Sequence, residues 1–391
     1  MNKKRVIVIV IDGVGIGEMP DADKYGDRGS NTLANLARAV GGLDLPNLEQ
    51  LGLGNIESID GLKNNVIAKA CYGKMTEVSP GKDSTTGHWE LAGLILDKPF
   101  PTYPNGFPPE IIREFTKRTQ LDILGNYAAS GTEILKDLGE EHIRTGKPIV
   151  YTSADSVFQI AAHEDIIPLK RLYEICKIAR DILSGNHAVA RVIARPFMGK
   201  SKNTFQRTKY RRDFSLKPFN KTLHQILQDN DIFTVGIGKI NDLYAVAGIQ
   251  KSLHTKSNEE GMSAIISELE ETQSGLIMAN LVDFDMLWGH RNDPKGFYNG
   301  LKKFDEWLAN LFKVLNDNDL VMITADHGND PTTPSTDHSR EYVPILVFGG
   351  NFKNNVDLGV RSSFADLQAT LTEYFEVPST GNGKSFLEMI L

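Results

Sequence analysis

Four short, mainly apolar runs stand out along the chain: Val6–Ile11, β-branched throughout, Gly275–Leu281 (GLIMANL), Leu320–Thr324 (LVMIT) and Ile345–Phe348 (ILVF). A strand with one solvated face alternates apolar and polar residues. Continuous runs of this length instead predict strands covered on both faces, as in a parallel sheet with helices on either side. Polar residues follow: Asp12 after the first run, Asp283 and Asp285 after the second, Asp326 and His327 after the third. In such sheets ligands bind outside the carboxyl ends of the strands, so three acidic clusters at three strand ends predict one shared site.

Apolar residues at three-and-four spacing predict helices over 261–271 and 296–316, the latter through Phe304, Trp307, Leu308, Leu311 and Leu315. The middle of the chain reads differently. Lys98 to Pro109 is rich in proline, with glycine and aromatic residues, and reads as a connection. A mixed segment follows, with strands expected over 148–152 and 189–194 and a helix over 169–183, ending in the basic stretch 200–213. The expected organisation is an α/β host domain formed by residues 1–97 and 216–391, with a smaller α/β domain inserted at 98–215.

The net charge of −7 argues against a nucleic-acid partner, whose binding needs surplus Lys and Arg; RTKYRR (207–212) is the only basic cluster pointing that way. The two cysteines, Cys71 and Cys176, form no Cys-x-x-Cys pair, and such sparse use suits a reducing cytoplasm. The lysine-flanked apolar start ends at Asp12 after six residues, so it reads as a strand and not a leader, and no stretch approaches a membrane span.

The candidate chemistry lies at the strand ends. Asp12, Asp285 and His290 (in VDFDMLWGH), Asp326 and His327 (in ITADHGND), and His338 (in STDHSREYVP) supply three carboxylates and three imidazoles, expected in loops after strands. Taken singly these are weak signals, since an Asp after a strand is usually a helix cap or turn residue. Jointly they suit two divalent ions about 4 Å apart, the arrangement that clamps an in-line phosphoryl displacement. DGVGIG lacks the full dinucleotide spacing. The stretch Gly81–Glu90 (GKDSTTGHWE) offers three adjacent hydroxyls, Ser84, Thr85 and Thr86, as nucleophiles. If Ser84 opens a helix, backbone N–H groups there would favour its phosphorylated form.

These segments resemble bacterial phosphopentomutases from end to end: IDGVGIGEMPDA, GKDSTTGHWE, YTSADSVFQIAAHE, RVIARPF, NLVDFDMLWGHRNDP, ITADHGNDP and TDHSREYVP. The resemblance implies an alkaline phosphatase-like core, a central and mostly parallel sheet flanked by helices, with an inserted cap domain. It implies two Mn²⁺ ions, one held by Asp285, His290 and His338, the other by Asp12, Asp326 and His327. The nucleophile falls on Ser84, where many family members carry threonine. Substrate contacts would come from Ser153, Asp155, Val157, Arg191, Ile193, Arg207 and Lys239, the three cations acting as phosphate clamps. The implied reaction moves phosphate between C1 and C5 of ribose or deoxyribose through a phosphoenzyme, with a sugar 1,6-bisphosphate as activator and small pentose phosphates as partners. Another reaction on the same fold, a phosphoglycerate mutase or a monoesterase, is the nearest rival. A metal-binding protein without catalysis should have lost a ligand or the hydroxyl, and here all seven positions carry one.

Overall fold

The computed structural model describes residues 4–153 and 155–391. Its strands are, in order, β1 (Arg5–Ile11), β2 (Cys71–Met75), β3 (Leu124–Ala128), β4 (Ile149–Thr152), β5 (Val157–His163), β6 (Arg191–Met198), β7 (Gln206–Arg207), β8 (Arg212–Ser215), β9 (Thr234–Ile237), β10 (Lys251–Leu253), β11 (Gly275–Leu281), β12 (Asp319–Thr324), β13 (Val343–Phe348) and β14 (Asp357–Arg361). The chain separates into two compact units, Met1–Lys98 with Pro218–Leu391, and Pro99–Lys217.

The first unit is built on an eight-stranded sheet in the order β10-β9-β11-β1-β12-β13-β2-β14. The apolar runs lie at its centre, and every residue of β1, β11, β12 and β13 is buried. β1 pairs in parallel with β11, from Arg5↔Gly275 to Ile11↔Leu281, and with β12, from Arg5↔Asp319 to Val10↔Thr324. The residues that follow Ile11, Leu281 and Thr324 therefore leave the sheet at one edge.

β13 runs antiparallel to both β12 and β2. This corrects the expectation for His338, which precedes a strand instead of following one. Because β13 is reversed, its first residues lie at the same edge as the ends of β1, β11 and β12. The register Val343↔Met75 brings the end of β2, and the chain leading to Ser84, to that edge too.

The helices also depart from the expected bounds. Asn258–Glu271 starts earlier because the Ser257 side chain accepts from the Glu260 N–H and caps it. Pro294–Val314 starts at a proline, whose missing N–H costs nothing at the first helical position, with Asp293 Oδ1 accepting from Gly296 N at 2.9 Å. In the second unit, the strand expected over 189–194 runs instead over Arg191–Met198, in a sheet of order β3-β4-β5-β6-β7 with β8 paired to β6.

The opposite edge of the large sheet carries a buried ion pair with its hydrogen bonds made. Arg5 Nε and Nη2 donate to the two Asp319 oxygens at 2.7 and 2.6 Å, and Nη1 donates to the carbonyls of Leu269 and Thr272. A buried charge pair persists only when its donors and acceptors are used in this way. At the edge where the loops converge that condition fails.

Candidate metal centre

The helix Ser84–Leu91 begins at the hydroxyl expected to be the nucleophile. Asp83 caps it, its Oδ1 accepting from Thr85 N at 3.0 Å and Thr86 N at 3.1 Å. Two backbone donors expected for a phosphate at this helix start are thus occupied by a carboxylate. Gly87, one turn further on, packs against the metal loop, and a Cβ there would collide with the Asp326 carbonyl. The preceding loop is clamped by Arg340, whose Nη1 donates to Glu77 Oε2 at 2.7 Å and to the carbonyls of Ser79 and Gly81 at 2.8 and 2.6 Å. Ser84 is held in place from both sides.

All six expected ligand residues meet beside it. Asp12 follows β1 directly, and its neighbour Gly13 donates its N–H to Asp326 Oδ1 at 3.2 Å. Asp285 sits in a single π-helical turn, Phe284–Trp288, that runs into the 3-10 turn Gly289–Arg291 carrying His290. Such turns are rare and occur often at functional sites. Asp12, Asp326 and His327 place one ligand atom each within 4.8 Å of one another, as do Asp285, His327 and His338. His290 joins the second group, with Nε2 at 3.4 Å from Asp285 Oδ2 and its ring centroid 4.8 Å from that of His338. Ser84 Oγ lies 3.1 Å from His327 Nε2.

The arrangement fits cations on three counts. Asp12 Oδ1, Asp326 Oδ2 and His338 Nε2 are buried without a hydrogen-bond partner, a costly condition that a coordinated ion relieves. His290 Nδ1 lies 2.7 Å from the Thr336 carbonyl and His327 Nδ1 lies 3.0 Å from the Gly328 carbonyl. Each Nδ1 therefore keeps its proton against a carbonyl, and in the neutral ring the Nε2 lone pair faces the cluster, which is how ligating imidazoles are oriented. Finally, the donor set is oxygen and nitrogen throughout, as hard and borderline divalent ions prefer.

The electrostatics show the strain of leaving these groups to themselves. Burial is the largest influence on Asp12 and raises its pKa, but the Lys239 ammonium and the hydrogen bond and charge of His327 together outweigh it and hold the group down at about 2. Burial first, and then the Asp12 charge, push Asp326 up to about 7. Asp285 is held well below the usual carboxylate range; burial opposes this, and His338 and His290 outweigh it. His327 goes well above the usual imidazole value, again against burial, because of Asp326 and Asp12. Lys239, expected to clamp phosphate, donates to Asp12 Oδ2 at 2.8 Å and lies 3.9 Å from Asp285 Oδ2.

The other expected substrate residues belong to the second unit. Arg191 and Ile193 share one face of β6, with Val157 opposite Arg191 in the register of β5 and β6. Arg191 lies 3.8 Å from Asp155 and 3.6 Å from Asp213. Ser153 follows β4 and is half-buried, and Arg207 is exposed on β7.

Two residues that sequence reasoning did not single out also face the ligands. His88, one turn after Ser84, is fully buried, with Nε2 3.4 Å from Asp326 Oδ2 and 3.1 Å from Asn280 Nδ2; burial pushes its pKa down to about 3, so it is neutral. Asn329 donates from Nδ2 to Asp285 Oδ1 at 2.7 Å. Both stand inside the motifs GKDSTTGHWE and ITADHGND, which is the only sequence signal they give.

Comparison with known proteins gives the family of the chain. Residues 4–379 match the family model described as the metalloenzyme superfamily. Phosphopentomutase of Dictyoglomus turgidum is 61% identical over 387 residues, covering 99% of this chain and 98% of that protein. Phosphopentomutase of Acetivibrio thermocellus is 55% identical over 388 residues, covering 99% and 100%. A solved structure from Pyrococcus horikoshii, 14% identical, superposes with a TM-score of 0.51 over 98% of this chain and 100% of the other, a likeness of fold.

Proposed function

This chain belongs to the phosphopentomutases of the metalloenzyme superfamily, isomerases that shift a phosphoryl group within a molecule, and from that premise we propose that it interconverts ribose 1-phosphate and ribose 5-phosphate, with their 2-deoxyribose equivalents, in nucleoside catabolism and salvage. The observation that carries the reading is the meeting of a helix-opening serine hydroxyl with six oxygen- and nitrogen-bearing ligands in one buried cluster.

Asp285, His290 and His338 would hold one divalent ion and Asp12, Asp326 and His327 the other, and we assign both as Mn²⁺. When bound, the ions lower the pKa of a coordinated hydroxyl and neutralise charge on a transferring phosphoryl group. Ser84 carries a phosphoryl group in the resting enzyme. The free sugar hydroxyl attacks that phosphorus, the P–O bond to Ser84 breaks, and a 1,5-bisphosphate forms, with the hydroxyl proton ending on the released Ser84 oxygen. The Ser84 hydroxyl then attacks the other phosphate of the turned bisphosphate, its P–O bond to the sugar breaks, and the departing sugar oxygen takes up the proton. A sugar 1,6-bisphosphate would load Ser84 by the same exchange. Asp83 occupies two of the helix N–H donors, so the ions held by the six ligands, and not those two donors, would supply the positive charge for a phosphorylated Ser84.

Ser153, Asp155, Val157, Arg191, Ile193, Arg207 and Lys239 are proposed to bind the sugar phosphate, with 98–215 acting as the cap; the support is the motif resemblance and, for the cations, the match of guanidinium and ammonium to phosphate. Cys71 and Cys176 are both unpaired and buried, which fits a cytoplasmic setting. Among the described residues no helix is long and apolar enough to cross a membrane.

The test is an assay of ribose 1-phosphate with the Mn²⁺-loaded protein, following both ribose 5-phosphate and free phosphate. Isomer formed without phosphate release supports the proposal. Phosphate released without isomer would place the chain among the monoesterases instead.

A further inference from the structure

Asn329 lies two residues beyond His327 and is fully buried. Its side chain fills a slot with glycine on two sides. A Cβ added to Gly289 would fall 2.5 Å from both Cγ and Nδ2 of Asn329, and one added to Gly13 would fall 3.1 Å from its Cβ. Each glycine borders a ligand, Gly13 following Asp12 and Gly289 preceding His290. Gly289 has φ −59 and ψ −63, a conformation open to any residue. Its lack of a side chain is therefore explained by room for Asn329 and not by its backbone.

Within that slot the amide makes one directed contact, Nδ2 to Asp285 Oδ1 at 2.7 Å. An ionised carboxylate only accepts, so the nitrogen and not the oxygen of the amide must face it. The loop bearing Asn329 is fixed in turn. Its backbone N–H donates to Thr32 Oγ1 at 3.2 Å, and that hydroxyl donates to the buried Glu341 at 2.8 Å. The other oxygen, Asp285 Oδ2, lies 3.4 Å from His290 Nε2, while Oδ1 is also 3.2 Å from His338 Nε2. One donor on Oδ1 thus sets the rotation of the carboxylate plane relative to the two imidazoles.

We infer that Asn329 is a positioning residue for the ion held by Asp285, His290 and His338: it fixes the Asp285 carboxylate in its ligating orientation before the cation arrives. The inference rests on the reading of those three residues as a metal site. Outer partners of this kind typically govern metal affinity by about 10- to 100-fold.

The experiment is a calorimetric titration of Mn²⁺ into metal-stripped protein, for wild type, Asn329→Leu, Asn329→Ala and His290→Ala. Leu keeps the approximate shape of Asn without the donor, and Ala covers the case in which Leu does not fold; thermal melting of the metal-free variants shows which are folded. The expected result is two binding events in wild type. In the Asn329 variants one of them weakens about 10- to 100-fold, the same one that His290→Ala weakens, while the other stays within about twofold. A general loss of structure would weaken both. Two unchanged events, or two equally weakened ones, would overturn the positioning role. Failure of the wild type itself to take up Mn²⁺ would overturn the metal site beneath it.

Discussion

Ser84 Oγ lies 3.1 Å from His327 Nε2, although 243 positions separate the two residues in sequence. His327 Nδ1 faces the Gly328 carbonyl at 3.0 Å, so the nitrogen that meets the hydroxyl, Nε2, is also the one that would ligate an ion once the ring is neutral. A nucleophile and a metal ligand therefore share one contact. Ser84→Ala removes the attacking oxygen and no ligand. Turnover should fall by at least about 10⁴-fold, as when a covalent nucleophile is deleted elsewhere, with bound metal unchanged by elemental analysis. Ser84→Thr keeps a hydroxyl and should retain measurable turnover. Thr85→Ala should stay within a few-fold of wild type; a loss as deep as that of Ser84→Ala would move the nucleophile to Thr85.

Metal uptake should depend on pH in a stated direction. In the metal-free protein, burial and the Asp12 charge hold the Asp326 carboxyl at about 7, so it is largely protonated at pH 6. Coordination needs the carboxylate, so the ion must expel that proton. Each ligand proton displaced contributes one decade per pH unit, so affinity should rise by at least roughly tenfold per pH unit between pH 5 and 7 and go on rising above 7, because His327, held well above the usual imidazole value, must also lose its proton to coordinate. Titrations in two buffers of different ionisation enthalpy read the released proton directly. A pH-independent affinity with no proton release would contradict this arrangement of charges.

How much of this was legible in the sequence differs from residue to residue. The strands were, because Val6–Ile11 and its counterparts are apolar on both faces, and only a covered strand needs that. The edge where Asp12, Asp285 and Asp326 meet followed from those strands being parallel. His338 was misplaced because an apolar run gives no sign of its direction, and β13 is reversed. The occupancy of the Ser84 helix start was missed because a cap residue competes with a phosphate for the same N–H groups, and the sequence does not say which is served. Asn329 and His88 were invisible as partners of Asp285 and Asp326. Their roles come from distances between loops, 44 positions apart in the case of Asn329, and no local pattern encodes those.

A buried histidine away from the ligands sets part of the acid stability. His224, in the helix Leu223–Asp229, has neither ring nitrogen hydrogen-bonded, and its ring packs 4.3 Å from that of Tyr244. Burial pushes its pKa from 6.5 down to about 3. The unfolded chain takes up a proton near 6.5 that the folded protein refuses until about pH 3. Stability present above 6.5 is therefore lost as pH falls through that window. Over pH 7 to 5 this amounts to at most about 2 kcal/mol. His224→Leu removes the term, so chemical denaturation should show the wild type losing more stability than the variant between those pH values. Equal losses would show that His224 is not held neutral.

The central claim, that two divalent ions sit beside one serine oxygen, is tested most directly by anomalous diffraction from a Mn²⁺-loaded crystal. The account predicts two peaks about 4 Å apart, one within bonding distance of Asp12, Asp326 and His327, the other of Asp285, His290 and His338, with Ser84 Oγ beside both. A single peak, or peaks away from these six side chains, would contradict it.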